Sequence, residues 1–204
     1  MSEQSLNHIS LTARVLGAAF YYAPGDIQEI ISLLSTLQWT EEWPYGSHEQ
    51  KQAIADKLAI IATDNESLDE AYQRLFIGPY ALPAPPWGSV WLDRENVIFG
   101  DSTLQLREWM HAHSIDIHLS QNEPEDHFGL LLMMVAWVAE NNLSQLNELL
   151  AQHILPWGFH YLNKMEQEAN FPFYTGLAEL AHLTLASWQQ SLHVDVEKKM
   201  IFYR

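Results

Sequence analysis

The stretch that decides the fold is FGLLLMMVAWVA, residues Phe128 to Ala139, the longest apolar run in the chain. A membrane-spanning helix needs about 20 apolar residues, so this run predicts a buried helix instead. Because it is the most apolar segment, we expect it to be central and to run to about Glu140. We place Pro124 in its first turn. Gly129, near its start, predicts a close approach by the backbone of a neighbouring element.

Helical periodicity continues on both sides of this run. Predicted helices cover 6–22, 26–37, a segment opened by Ser47, a segment opened by Ser67, 102–113, 144–154, 157–168 and 173–192. Three of them begin with a capping-box pattern: Asp26 with Glu29, Ser47 with Gln50, and Ser67 with Glu70. We expect Leu37 and Ile61 on buried faces. Residues 39–46 are predicted to be a connecting loop, and the chain after His193 a polar tail.

Residues 78–101 interrupt the helical pattern with four prolines and with Trp87 and Trp91. Loops longer than about 12–15 residues are usually functional or disordered, and the apolar content of this one argues against disorder. Residues 78–101 are therefore predicted to form one long ordered loop. The tryptophans have two interpretations: they cover a helix bundle, or they line a groove for an apolar peptide. Further along, 115–119 alternates as an extended piece and 120–122 resembles a turn.

The helical periodicity, with no linker that would divide the chain, predicts one all-α domain over residues 1–204, a single-domain helical bundle with a long Pro/Trp-rich loop. Hydrophobic residues make up 48% of the 204 residues, which suits a folded core. Period-2 runs are almost absent and no internal repeat is visible, so a β-sheet is not supported. The chain has no cysteine. That absence excludes thiolate metal sites, thiol nucleophiles and disulfides.

The charge balance restricts the partners. Asp and Glu number 26 against 10 Lys and Arg, a net charge of −16. Such a chain repels nucleic acid and anionic lipid, so we expect neutral or basic partners. Residues 1–10 are polar and include Glu3, and no secretory signal is expected. We therefore predict a cytoplasmic protein.

Motifs for catalysis are missing from the sequence. Neither a phosphate-binding glycine loop nor a nucleophile-elbow GxSxG occurs, so we predict no nucleotide chemistry, no esterase chemistry and no cofactor. The nearest metal-ligand candidates are the pairs His111 with His113 and Asp126 with His127. Residues two apart on a helix face different directions, which weighs against a metal site. A small metal-assisted helical enzyme stays as an alternative. The other histidines interpreted as scattered surface residues are His8, His48, His153, His182 and His193.

The segment NEPEDHFG, residues 122–129, gathers titratable groups at one predicted helix start. Acids in a first turn are favoured by the helix dipole, which could explain Glu123 and Glu125 without a ligand. A basic group gains nothing there. His127 is therefore expected to pair with Asp126 or with a partner group, and a functional and a structural role stay equally open.

Four motifs carry a family resemblance: YQRLFIGP at 72–79, PAPPWGSVWLDRE at 83–95, FGDST at 99–103 and NEPEDHF at 122–128. Together they resemble the TorD/DmsD family of redox-enzyme maturation chaperones, and the similarity covers nearly the whole chain. The resemblance implies an all-helical cytoplasmic chaperone and not an enzyme. It would bind the twin-arginine signal peptide of a molybdenum oxidoreductase, typically the dimethyl sulfoxide reductase catalytic subunit, until folding and cofactor insertion finish.

By matching motifs, the resemblance implies a signal-peptide site, with Tyr22 as a contributor. Its residues are Tyr22, Leu75, Phe76, Tyr80, Pro86, Trp87, Trp91, Gly100, Asp126 and His127. We hypothesise that Asp126, with Glu123 or Glu125, meets the two arginine side chains, because guanidinium groups suit bidentate pairing. The region of Trp87 and Trp91 would take the apolar part of the peptide.

Further partners implied by the resemblance are the Tat translocase and general chaperones, with transient contact with the inner face of the membrane through a partner. Guanine nucleotides are associated with the family, but this sequence has no nucleotide motif. We expect a monomer, with a domain-swapped dimer as the alternative because the connections are long. A structural subunit of an oxidoreductase complex is the remaining alternative function.

Overall fold

Helices account for the architecture of the computed structural model, which describes residues 2–116 and 123–203. Within those ranges no β-sheet forms, and the predicted all-α fold is confirmed. The helices are α1 Glu3–Tyr21, α2 Gln28–Leu34, α3 Trp39–Glu42, α4 His48–Leu58, α5 Leu68–Tyr72, α6 Gly88–Leu92, α7 Asp101–Ala112, α8 Phe128–Asn141, α9 Leu146–Leu149, α10 Leu155–Glu168 and α11 Pro172–Leu192. Across the described ranges, no helix is both long and apolar enough to cross a membrane.

Helix α8 lies in the centre, as its apolar sequence predicts, and packs along α1. The close approach predicted at Gly129 is confirmed. A Cβ atom built there would lie 2.8 Å from the Gly17 carbonyl oxygen and 2.9 Å from the Tyr21 Cβ. Gly17 is equally crowded, because its Cβ would lie 2.9 Å from the Gly129 carbonyl oxygen. The two glycines bring the backbones together and place Tyr21 beside the start of α8.

The start of α8 differs from the prediction. Pro124 is not in its first turn, because the helix begins at Phe128. The Nδ1 atom of His127 accepts a hydrogen bond from the Gly129 N–H at 3.1 Å and so caps the helix. The backbone N–H of His127 donates to the Pro124 carbonyl oxygen at 3.2 Å, which makes 124–127 a turn before the helix.

Two of the three predicted capping boxes are confirmed. The side chains of Ser47 and Ser67 each accept a hydrogen bond from the backbone N–H three residues later. The side chains of Gln50 and Glu70 in turn accept a hydrogen bond from the backbone N–H of the serine. The prediction at Asp26 is wrong. Pro24–Asp26 forms a separate 3₁₀ turn, and α2 begins after Ile27 without a side-chain cap. Proline with its fixed φ favours such a tight turn, and the turn displaces the helix start.

Two expectations on buried faces are wrong as well. Leu37 and Ile61 are exposed because α2 and α4 end before reaching them. The predicted connecting loop at 39–46 contains the short helix α3, whose Trp39 is buried, as is Trp43 immediately after it.

The Pro/Trp-rich segment is ordered, as predicted, but it is not one continuous loop. It contains the five-residue helix α6, and its last residue, Asp101, already belongs to α7. Of the predicted extended piece at 115–119 only 115 and 116 lie in the described ranges. The predicted turn at 120–122 lies wholly outside them.

The C-terminal part is more continuous and better packed than predicted. Pro156 does not separate two helices, because a wider π-helical turn, Leu150–Ile154, joins α9 to α10. Residues 194–203 are not a free polar tail. The Phe202 N–H donates to the Trp91 carbonyl oxygen at 2.8 Å, and the Tyr203 ring lies 4.6 Å from the Trp91 ring. The end of the chain therefore covers α6.

Candidate functional site

A groove of about 600 Å³ opens between the end of α1, the turn that follows α5, and the segment leading into α8. We call it the acidic groove. It is lined by Tyr21, Tyr22, Ala23, Asp26, Asp69, Tyr72, Gln73, Phe76, Ile77, Trp87, Glu123 and His127. Five predicted site residues meet there: Tyr22, Phe76, Trp87, Glu123 and His127.

A short backbone bridge forms one wall of the acidic groove. The Phe128 N–H donates to the Pro86 carbonyl oxygen at 2.7 Å, and the Gly88 N–H donates to the Asp126 carbonyl oxygen at 3.1 Å. These bonds hold Trp87 opposite His127 in an antiparallel pair. The sequence motifs PAPPWGS and EPEDHF, far apart in the chain, thus become one wall.

Two aromatic rings lie against the His127 ring. Its ring lies 5.2 Å from that of Tyr21 and 5.9 Å from that of Trp87, both edge to face. Opposite them, the Tyr72 hydroxyl donates to the Tyr21 carbonyl oxygen at 2.7 Å. Burial, followed by the nearby Tyr21 and Glu123, raises the pKa of Tyr72 to about 12, so its hydroxyl stays a donor. The groove therefore has rigid, amphipathic walls.

Three carboxylates face the acidic groove: Asp26, Asp69 and Glu123. Among the described residues that line it, none is Lys or Arg. The Trp87 indole N–H donates to Glu123. Burial is the main cause that raises the pKa of Glu123, Asp126 adds to it, and the Trp87 bond opposes it. A cation bound beside Glu123 would relieve this cost, so the groove is suited to a cationic ligand.

His127 has a structural role that the sequence analysis did not foresee. It was expected to pair with Asp126 or a partner group, but its Nδ1 atom caps α8 instead. Burial lowers the pKa of His127 to about 3, so the ring is neutral at physiological pH. A neutral imidazole offers an acceptor to the positive end of the helix, which removes the conflict with the dipole.

Asp126 does not face the acidic groove, and this corrects its predicted pairing with arginine. Its side chain is 4% exposed, and Oδ2 accepts from the Ser89 N–H at 2.6 Å, which fixes the start of α6. Burial raises the pKa of Asp126, and the bond from Ser89 opposes that shift. Its Oδ1 atom has no hydrogen-bond partner among the described residues. The residue borders a separate cavity of about 10 Å³, room for about one water.

Three more predicted site residues lie in the interior. Leu75 is fully buried and Pro86 is buried. Trp91 is 3% exposed, donates its indole N–H to the Pro85 carbonyl oxygen at 2.8 Å, and is covered by Tyr203. None of the three lines the acidic groove, so Trp91 is not placed to hold an apolar peptide there.

The remaining predicted residues lie outside the groove. Tyr80 is 86% exposed. Gly100 precedes α7, and a Cβ atom there would lie 2.1 Å from the Asp93 carboxylate, which accepts from the Ser102 N–H at 3.1 Å. Gly100 is therefore needed for this cap. Glu125 pairs with Arg107 at 2.8 Å, a structural ion pair at the surface.

The sequence analysis missed Tyr21, Asp26, Asp69 and Tyr72. For two of them the signal was present. Asp69, Tyr72 and Phe76 stand at i, i+3 and i+7, the spacing of one helix face. Because Phe76 was predicted as a site residue, the helix face that it shares with Asp69 and Tyr72 indicated those two residues as well. Asp26 had no such signal, because the 3₁₀ turn that presents it was not predicted.

The metal-ligand candidates do not come together. His113 lies 3.6 Å from Glu148, and His127 is committed to capping α8. In the described ranges no group of three or more His, Asp or Glu side chains is arranged to hold a metal ion. His153, interpreted as a surface residue, is buried instead, and burial lowers its pKa to about 4.

The described residues form an all-α protein with an acidic, aromatic-walled groove. Residues 40–163 match the family model described as nitrate reductase delta subunit. The chain is 49% identical to the Tat proofreading chaperone DmsD of Salmonella typhimurium, with 95% of each chain covered. It is 41% identical to a probable Tat proofreading chaperone DmsD of Haemophilus influenzae, covering 99% of this chain and all of that one. The chain belongs to the TorD/DmsD family of redox-enzyme maturation chaperones.

The fold has a counterpart among solved structures. A crystal structure of a candidate redox enzyme maturation protein from Archaeoglobus fulgidus aligns with a TM-score of 0.54 at 18% identity, covering 90% of this chain and 96% of that one. At this identity the comparison supports the fold alone. The resemblance inferred from the sequence motifs is confirmed, and the family is one of chaperones, not of catalysts.

Proposed function

We propose that this protein binds the twin-arginine signal peptide of a molybdenum oxidoreductase catalytic subunit of the dimethyl sulfoxide reductase type. It holds that subunit back from export until folding and cofactor insertion are complete. The observation that carries the proposal is the acidic groove, where three carboxylates meet the five aromatic rings of Tyr, Phe and Trp side chains without a neighbouring cation among the described lining residues. The relatives, named as Tat proofreading chaperones, supply the ligand class.

The groove chemistry suits two adjacent arginine side chains. A guanidinium group forms bidentate bonds with a carboxylate and also stacks on aromatic faces. Asp26, Asp69 and Glu123 supply the carboxylates, and Tyr22 and Trp87 supply rings beside them. A lysine has neither the fork nor the flat cation, so this arrangement favours arginine over lysine.

Asp126 contributes by positioning in this proposal. Its carboxylate fixes the start of α6, immediately after Trp87, while its carbonyl oxygen joins the bridge to Gly88. Both contacts keep the Trp87 and His127 wall in place. The arginines of the peptide would therefore be bound by Glu123 and its two groove partners, with Asp126 behind the wall.

The setting follows from the same proposal. The chaperone acts in the cytoplasm as a monomer and meets the membrane transiently through a partner such as the Tat translocase, with general chaperones as further partners. The net charge of −16 supports this assignment, because it disfavours direct contact with anionic lipid or nucleic acid.

The test is a calorimetric titration of the protein with a synthetic twin-arginine leader and with a version in which both arginines are lysine. We expect binding that weakens at least about tenfold with lysine, the loss of roughly one charge-assisted bond. Glu123→Gln should weaken binding of the arginine leader, while Glu95→Gln, an exposed control outside the groove, should not. Equal affinity for both leaders would contradict the proposal.

The description of the family model as a delta subunit favours a second candidate, a structural subunit of an oxidoreductase. The two functions differ in how long the protein stays bound to the oxidoreductase. A subunit copurifies with the mature enzyme at fixed stoichiometry, whereas a chaperone is found only with the precursor that still carries its leader. Purification of both forms of the client therefore separates them.

A further inference from the structure

The apolar part of a signal peptide is bound best by a surface with fewer carboxylates than the acidic groove has. Signal peptides carry a cationic region followed by an apolar stretch of about 7–15 residues. Of the two tryptophans expected to bind this stretch, Trp91 is buried beneath Tyr203, and Trp87 lies in the acidic groove, where its indole N–H donates to Glu123. The groove itself is lined by carboxylates as well as rings. An apolar surface beside the acidic groove would suit this stretch better than the carboxylate-bearing walls of the groove itself.

A second groove, of about 220 Å³, lies between α1 and the segment from the end of α2 to Pro44. We call it the apolar groove. It is lined by His8, Leu11, Thr12, Val15, Leu33, Trp39, Glu42, Trp43 and Pro44. Leu11 is 62% exposed and Leu33 is 42% exposed, so both leucines present apolar surface to solvent. The Thr12 hydroxyl is satisfied by the His8 carbonyl oxygen, which leaves this part of the wall apolar in character.

Both grooves take some of their lining residues from α1 and from the segment that includes α2. On α1, Leu11 and Val15 line the apolar groove, and Tyr22, where the helix ends, lines the acidic one. At about 100° per residue these three positions fall within about 40° of one another around the helix axis. In the second segment, Asp26 before α2 lines the acidic groove, and Leu33 near the end of α2 lines the apolar one.

The distance between the two grooves along α1 is close to the length of the apolar stretch of a signal peptide. Leu11 and Tyr22 are about 16 Å apart along the axis at about 1.5 Å per residue. An apolar stretch of about 12 residues, if helical, is about 18 Å long. A peptide with its arginines beside Tyr22 can therefore extend its apolar stretch along α1 as far as Leu11.

We propose that the apolar groove binds the hydrophobic stretch of the same twin-arginine leader whose arginines occupy the acidic groove. This inference rests on the proposed function. A second copy of the chain is the less suitable occupant, because it would bring another net charge of −16 against the first. The leader, cationic at one end and apolar beyond, complements both grooves at once.

The test compares two peptides on one pair of variants. The peptides are the full leader and its cationic region cut before the apolar stretch. The variant Leu11→Gln with Leu33→Gln changes exposed side chains, so the fold should be retained, and Leu104→Gln on α7, half-exposed and outside both grooves, is the control. We expect the full leader to bind the double variant at least about tenfold more weakly, the effect of one leucine left unburied, and the short peptide to be unaffected.

Unchanged affinity of the full leader for the double variant would overturn the inference while leaving the acidic groove as proposed. Failure of the full leader to bind the unaltered protein would instead reject the proposed function itself. A photoreactive residue in the middle of the apolar stretch gives a second measurement. Cross-links to residues 8–15 or 33–44 support the proposal, and cross-links confined to residues 69–87 contradict it. Loss of a dimer in the double variant, with leader affinity unchanged, would assign the groove to a second copy.

Discussion

His127 and Asp126 are neighbours in the sequence and fix the starts of two different helices. His127 caps α8 through Nδ1, and Asp126 caps α6 through Oδ2. Both side chains are buried, and burial moves both pKa values toward the uncharged form. The backbone bonds of Asp126 and Phe128, on either side of His127, hold Trp87 in the wall of the acidic groove. The sequence patterns suggest Asp126 and His127 as contacts for a ligand. In the structure, both residues instead hold helix starts and Trp87 in position.

The buried imidazole of His127 predicts a pH dependence of stability. Its pKa in the folded protein is about 3, against an ordinary value of 6.5. Between these values the unfolded chain binds the extra proton, so the free energy of unfolding falls as the pH drops below 6.5. The loss is about 1.4 kcal/mol per pH unit for one proton. His127→Asn keeps a capping oxygen and removes this titration.

Urea unfolding of the protein and of His127→Asn over the range pH 7 to 4 measures the effect. We expect the variant to lose less stability on acidification. His153 shifts in the same direction, with a pKa of about 4, so a slope remains in the single variant. Parallel curves for the two proteins would contradict a buried, neutral His127.

The close contact of α1 with α8 makes a prediction on the scale of elements. Gly129→Ala places a methyl group against the Gly17 carbonyl oxygen and the Tyr21 Cβ, both backbone-fixed. Overpacking of this kind costs about 1–3 kcal/mol of unfolding free energy. Gly25→Ala, where a Cβ atom meets nothing within 4 Å, is the matched control. We expect denaturant unfolding to show the loss only for Gly129→Ala, and equal stability of both variants would be the contrary result.

Local signals predicted the elements that depend on local contacts. The boxes at Ser47 and Ser67 are confirmed because both partners lie within one turn. The short helix α6 could not be predicted in the same way, because the group that fixes its start, Asp126, is 37 positions away. The burial of residues 194–203 has the same cause. Their contact with Trp91 exists only in the folded molecule.

The acidic groove shows the same contrast between local and long-range contacts at the scale of the whole molecule. Phe76, Trp87, Glu123 and His127 were found from motifs, and the structure brings them together. Their grouping with Asp26 was not predictable, because it depends on α1 ending beside α8 and on a 3₁₀ turn after it. The same motifs also contain Leu75 and Trp91, which serve the core. The motifs therefore located the region of the groove, but they did not distinguish the residues that line it from the buried residues behind them.

The net charge of −16 predicts how fast a cationic leader arrives. Long-range attraction raises the association rate constant, and salt screens it because the Debye length is about 10 Å at 0.1 M and shorter above that. We expect the association rate constant in stopped-flow measurements to fall about tenfold between roughly 0.05 M and 0.5 M salt. The dissociation rate constant should change less. An association rate constant that does not respond to salt would contradict electrostatic steering.

The most direct measurement of the central claim is a double-mutant cycle between the acidic groove and the leader. It combines Glu123→Gln with the change of both leader arginines to glutamine, and calorimetry gives the four affinities. We expect a coupling free energy of about 1–2 kcal/mol, as for a charge-assisted contact. Asp126→Asn is the control, since its amide oxygen can still accept from Ser89, and its coupling should be close to zero. A large coupling at Asp126 with none at Glu123 would contradict the account.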